Sequence, residues 1–159
     1  MQLSQITKIA LIQAKKAFAR KEIPVGAVIF NQDEIISKAY NMVISRNDPI
    51  GHAEVIALKK ATKKLKTTNL MNYSLYVTLE PCIICSYIIS KFKVGSLYFG
   101  AYDTSNGSIH NGKKVFLNEK NIHKPKIYGG IGQKACENLL DNFFKEIRKN
   151  YDPISALKK

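Results

Sequence analysis

LYVTLEPCIICSYIIS, residues 75–90, decides how this chain is read. The β-rich run YSLYVTLE predicts a strand that gives out at Glu80. The run PCIICSYIISKFK predicts a helix, with Pro81 near its first position, where a missing N–H costs nothing. Cys82 and Cys85 then stand three residues apart on one helix face, both able to reach one partner. A helix N-terminus also favours thiolate over thiol. Three chemistries fit this half-motif: a small local disulfide, a thioredoxin-type redox pair, or half of a metal site.

Working outward, strands and helices alternate. The N-terminal run MQLSQITKIALIQAKKAFARKE has Ile6, Ile9, Ala10, Ala14, Ala17 and Phe18 at helical spacing, and Pro24 stops it. It has no acidic residue before Glu22, as transit peptides do, but it lacks their arginine richness, so an amphipathic helix is the better reading. VGAVIFNQDEIISKAY reads as a hairpin turning at Asn31 to Asp33. NMVISRNDPIG reads as a loop, punctuated by Asp48-Pro49 and Gly51 before the helix HAEVIALKKATKKLK. That helix has Ala53, Ile56, Ala57 and Leu65 as its apolar stripe and a lysine-rich opposite face. Past the central motif come a strand (VGSLYFGAY), a polar irregular stretch with one helical turn near Val115 to Leu117, and a short strand (PKIYGGI). A final helix has Ala135, Leu139, Leu140, Phe143 and Ile147 on its apolar side. This order predicts an α/β fold, a sheet sandwiched by helices.

A length of 159 residues suits a single domain spanning 1–159. The apolar fraction of 45% is that of a globular chain with a real core. No run approaches the roughly 20 apolar residues of a membrane-spanning helix. Three cysteines, an odd count, fit a reducing compartment and a cytoplasmic protein better than a disulfide framework. The formal net charge of +13 is the footprint of a polyanion binder, although 22 of the 25 basic residues are lysine (all but Arg20, Arg46 and Arg148), which can mean solubility alone.

The cysteine pair gains meaning from GHAE, upstream at a second expected helix start. His52, Cys82 and Cys85 together form a borderline-to-soft donor set suited to zinc. Both helix starts fall at the C-terminal edge of the strands, where layered α/β folds place ligands. A structural zinc takes four protein ligands; a catalytic one takes three and keeps a position for water. The spare candidates are weak. Cys136 falls on the apolar half of the last helix, as a buried small hydrophobe, and His110 and His123 fall in the polar stretch, where solvent exposure is expected. Three ligands plus water is the better count. Glu54, two residues from His52, is either a first-turn glutamate favoured by the helix dipole or a proton carrier aimed at the open position. Glu80 resembles a second catalytic acid but is read as ending the strand and shaping the turn.

The pattern His52-x-Glu54 followed by Pro81-Cys82-x-x-Cys85 resembles the signature of the zinc-dependent nucleobase deaminases. PVGAV (24–28), NDPIGHAEVIAL (47–58), LYVTLEPCIIC (75–85) and FGAYD (99–103) are similar to tRNA adenosine deaminases, and so is the final helix. The resemblance covers nearly the whole chain. It implies a three-layer α-β-α cytidine deaminase-like fold with a central mixed five-stranded sheet and one zinc per subunit. It implies His52, Cys82 and Cys85 as metal ligands, Glu54 as the catalytic residue and Asn41 as a contact to the target nucleoside. It further implies a homodimer that converts the wobble adenosine of a tRNA anticodon stem-loop to inosine. The chain departs from the family at Ser86-Tyr87-Ile88, at Tyr102, and through NGSIHNGKK up to Lys114.

Two other functions remain open on sequence. One is a deaminase of a free base or nucleoside (cytosine, guanine or cytidine), which needs the same metal site but no basic surface. The other is a zinc-stabilised RNA-binding module without catalysis, against which Glu54 and the three-ligand count argue.

Overall fold

The computed structural model describes residues 2–150. Eleven elements follow in chain order. They are α1 (Leu3–Ala19), β1 (Gly26–Phe30), β2 (Ile35–Tyr40), α2 (Val43–Arg46), α3 (Ala53–Leu65) and β3 (Ser74–Leu79), then α4 (Ile83–Lys91), β4 (Ser96–Ala101), α5 (Val115–Asn118), β5 (Lys126–Tyr128) and α6 (Gln133–Asn150). The five strands form one sheet in the order β2-β1-β3-β4-β5. β1 pairs antiparallel with β2 and β3, whereas β3–β4 and β4–β5 are parallel, so the sheet is mixed.

The two-residue period of the strands sorts side chains into two cores. Ala27, Ile29, Leu75 and Val77 point to the side of α3 and α4, against Ala57, Leu58, Ala61 and Ile89. Val28, Phe30 and Tyr76 point the other way, against Ile6 and Ala10 of α1. All five residues of β1 are buried, as expected for a strand covered on both faces. α1 comes unusually close: a Cβ at Gly26 would run into the Ala10 carbonyl and lie 2.7 Å from the Ala14 nitrogen. That approach explains why half of the buried residues of α1, Ala10, Ala14 and Ala17, are alanine.

The hairpin turns where its polar residues are. Asn31 Oδ1 accepts the backbone N–H groups of Asp33 and Glu34, each at 2.9 Å, an Asx turn that closes β1 onto β2.

Several expectations need correction. The stretch 41–51 is not all loop, because Val43–Arg46 forms a short helix. Glu22 makes it possible: its buried carboxylate accepts the N–H groups of Ile44 at 3.1 Å and Ser45 at 2.6 Å, donors that a helix start leaves free. Pro81 is not in the first turn of α4; it precedes the cap residue Cys82, and Ile83 is the first helical position. The polar segment after β4 is not solvated throughout, since Gly107, Ser108, Ile109, Val115 and Phe116 are buried. Ala135 on α6 is exposed; Cys136 and Phe143 are that helix's buried residues.

Candidate active site and metal centre

The site forms where the starts of α3 and α4 meet. His52 caps α3 and Cys82 caps α4, both with extended backbone, so their side chains project from helix ends. Cys85, one turn into α4, is fully buried. His52 Nδ1 lies 3.2 Å from Cys85 Sγ and 3.6 Å from Cys82 Sγ. The three donor atoms all fall within 4.8 Å of one another.

These distances suit a zinc ion. With Zn–S of about 2.3 Å and Zn–N of about 2.0 Å, tetrahedral geometry separates a nitrogen from a sulfur by about 3.6 Å. No fourth donor joins this cluster among the described residues. Cys136 is buried elsewhere, its Sγ 3.7 Å from Tyr76 Oη. His110 is exposed, as expected. His123 is not; it is half-buried, and its Nε2–H donates to the Val94 carbonyl at 2.7 Å.

The electrostatics fit the same picture. The hydrogen bond from Cys85, backed by His52, holds the Cys82 thiol down at about 4. Cys85 is pushed up, by sharing its proton with Cys82 and by burial. His52 is raised by its hydrogen bond to Cys82, against the opposing effect of burial. A bound divalent ion would hold both sulfurs as thiolates, the form in which cysteine ligates zinc.

His52, Cys82 and Glu54 line one cavity of about 560 Å³, together with Asn41. Its size suits a nucleobase with its sugar. Glu54 is 5% exposed, and burial pushes its carboxyl up from the ordinary range. Asn41 is held just beyond β2, its N–H bonded to the Val25 carbonyl at 3.0 Å.

Residues 1–101 match the family described as the cytidine and deoxycytidylate deaminase zinc-binding region. The chain belongs to that family. Within it, this deaminase is 40% identical over 141 residues to the tRNA-specific adenosine deaminase of Rickettsia bellii (strain RML369-C), covering 87% of this chain and 97% of that one. It is also 40% identical to the tRNA-specific adenosine deaminase of Aquifex aeolicus (strain VF5), covering 90% and 94%. A solved structure from studies of A-to-I editing by tRNA:A34 deaminases at the wobble position superposes with a TM-score of 0.84 at 32% identity, over 86% of this chain and 99% of that one. The mixed five-stranded sheet between helices is thus the cytidine deaminase-like fold.

Two features of the deaminase's cavity were not legible in the sequence. The first is α6, whose Phe143, Phe144 and Ile147 form one wall. Phe143 and Ile147 were expected in an apolar face, but Phe144 and Ile147 remain 43% and 46% exposed and look into the cavity. The second is the segment after β4, which contributes Asp103 and Asn106. Glu80 does end its strand and turn the chain, as expected, and it also binds that segment. Beyond the cavity, past α2, Arg46, Lys59, Lys60 and Lys63 line a depression whose one acid is Asp48. Among the described residues, one ion pair forms, Lys64–Glu34 at 3.3 Å, so this basic surface is not neutralised from within.

Proposed function

We propose that this chain, as one zinc-dependent deaminase domain, hydrolyses adenosine to inosine at the wobble position of a tRNA anticodon stem-loop. The observation that carries the reading is the convergence of His52, Cys82, Cys85 and buried Glu54 on one nucleoside-sized cavity. The tRNA-specific relatives and the unneutralised +13 charge favour tRNA over a free base.

In this reading His52, Cys82 and Cys85 hold one zinc ion, which supplies Lewis-acid activation of water near neutral pH. Glu54 takes a proton from the attacking water and delivers it to the adenine ring nitrogen. The water oxygen bonds to C6, Glu54 takes the second proton from that new hydroxyl and passes it to the amine, and the C6–N6 bond breaks. Water and adenosine become inosine and ammonia. Burial suits Glu54 to this work, because a raised carboxyl both accepts and releases a proton readily. Asn41 hydrogen-bonds the target nucleoside. The apolar wall of Phe143 and Phe144 excludes water from the base once it is turned out of its stack.

The partners follow from the same reading. A second copy of the chain would cover Ile83, Ile84 and Tyr87, which α4 leaves between 38% and 48% exposed. A cytoplasmic site of action agrees with the tRNA substrate; no helix among the described residues is long and apolar enough to cross a membrane. The test is incubation of zinc-loaded protein with an anticodon stem-loop carrying adenosine at the wobble position, followed by nucleoside analysis. Inosine supports the reading. Xanthine from guanine, or uracil from cytosine, with the RNA left intact would instead establish a free-base deaminase.

A further inference from the structure

Glu80 is 2% exposed and has no cation beside it among the described residues. Its carboxylate nevertheless accepts five hydrogen bonds, all from the segment 103–111. Oε1 takes the N–H groups of Ile109, His110 and Asn111 at 2.8–3.0 Å. Oε2 takes the Asp103 N–H at 3.1 Å and the Asn111 side-chain amide at 2.7 Å. A buried carboxylate is costly unless donors surround it, so the segment and the carboxylate stabilise each other.

We propose that Glu80 is a positioning residue that fixes the 103–111 segment as a wall of the metal cavity and so sets substrate binding. This rests on the deaminase reading above. The segment reaches the cavity through Asp103 and Asn106. It is also fastened to the turn that carries the metal-facing cysteines. The Ser108 N–H and hydroxyl both reach the Pro81 carbonyl, at 3.0 and 3.1 Å, and Gly107 forms a bridge to Cys82. Gly107 must be glycine, because a Cβ there would sit 2.7 Å from Glu80 Oε2. One carboxylate between Leu79 and Pro81 therefore ties the end of β3, the start of α4 and the segment after β4 into a single unit. None of these contacts uses a metal-donor atom, so the anchor acts on the cavity wall and not on the ligand set.

The test is Glu80→Gln, which keeps shape and one carbonyl oxygen but turns an amide nitrogen toward two donors. Hydrogen exchange on the zinc-loaded full chain should show the amides of Asp103, Ile109, His110 and Asn111 losing protection about ten-fold or more, with β1 unchanged. Zinc content should stay at the wild-type value. The KM for the stem-loop should rise about ten-fold, with kcat within about three-fold. Adding Asn111→Asp gives the new amide an acceptor, and the double variant should recover part of the protection and of the KM. Wild-type exchange in Glu80→Gln would overturn the anchor. So would a fall in kcat at unchanged KM, loss of zinc, or a double variant as damaged as the sum of the singles. Should wild-type protein leave RNA untouched, the function proposed above fails, and the exchange data still decide whether Glu80 holds the segment.

Discussion

Ser86 Oγ and Ser108 Oγ lie 2.8 Å apart, buried together on the α4 side of the metal cavity. A hydroxyl on α4 is thus met by one in the segment after β4. Tyr87 likewise finds a partner, donating its hydroxyl to Glu119 Oε1 at 2.8 Å. Replacing Ser86 by alanine leaves Ser108 its bond to the Pro81 carbonyl, so the expected cost is small, about 1 kcal/mol, read from thermal or urea unfolding.

Metal binding should depend on all three donors. His52→Ala, Cys82→Ala and Cys85→Ala should each lower zinc affinity by about a hundred-fold or more, measured by competition with a chromogenic chelator. Cys85→Ala should also lower stability, since its side chain is fully buried. A Cys85→Ala protein that retains one tightly held zinc would remove that residue from the ligand set.

Glu54→Gln separates chemistry from metal binding. The amide cannot carry a proton between water and base, so turnover should fall by about a thousand-fold or more. Zinc content should not change, because Glu54 is not among the clustered donors. Turnover near the wild-type rate would reassign the proton carrier.

Glu22 predicts a pH dependence of stability. Burial alone would raise its carboxyl, but the N–H groups of Ser45 and Ile44 outweigh that and hold it below the ordinary value of 4.5. A depressed carboxyl adds stability that is present above 4.5 and lost as the pH falls through the lower, folded-state value. Glu22→Gln should therefore cost about 1 kcal/mol at neutral pH, and the two proteins' melting curves should converge in acid. A gap that persists or widens in acid would contradict this role.

Gly26→Ala tests the packing of α1 on the sheet. The added methyl would collide with the backbone at Ala10, which no side-chain rotation relieves. Overpacking of this kind costs about 1–3 kcal/mol, and denaturant unfolding would reveal it.

Much of this was legible in the sequence because local pattern and tertiary role coincide there. The β-rich runs of β1 and β3, the stops at Pro24 and Gly51, and the paired starts at His52 and Cys82 are short-range signals, and the structure places them as expected. Glu80 shows the limit. Its sequence neighbours announce a strand end and a turn, whereas its five partners lie more than twenty residues downstream. No periodicity reports such a contact. α2 escaped notice for the same reason, since its cap is supplied by Glu22 from before β1. Phe144 and Ile147 carry helical periodicity, but periodicity cannot distinguish a core face from a cavity wall.

The most direct test of the account is the product formed from a single-adenosine anticodon stem-loop by zinc-loaded protein, with Glu54→Gln as control. The account predicts inosine at the wobble position and one ammonia per inosine. It also predicts binding that weakens steeply with added salt, and no product from the control. Unchanged adenosine in the RNA, alongside deamination of free guanine or cytosine, would contradict it.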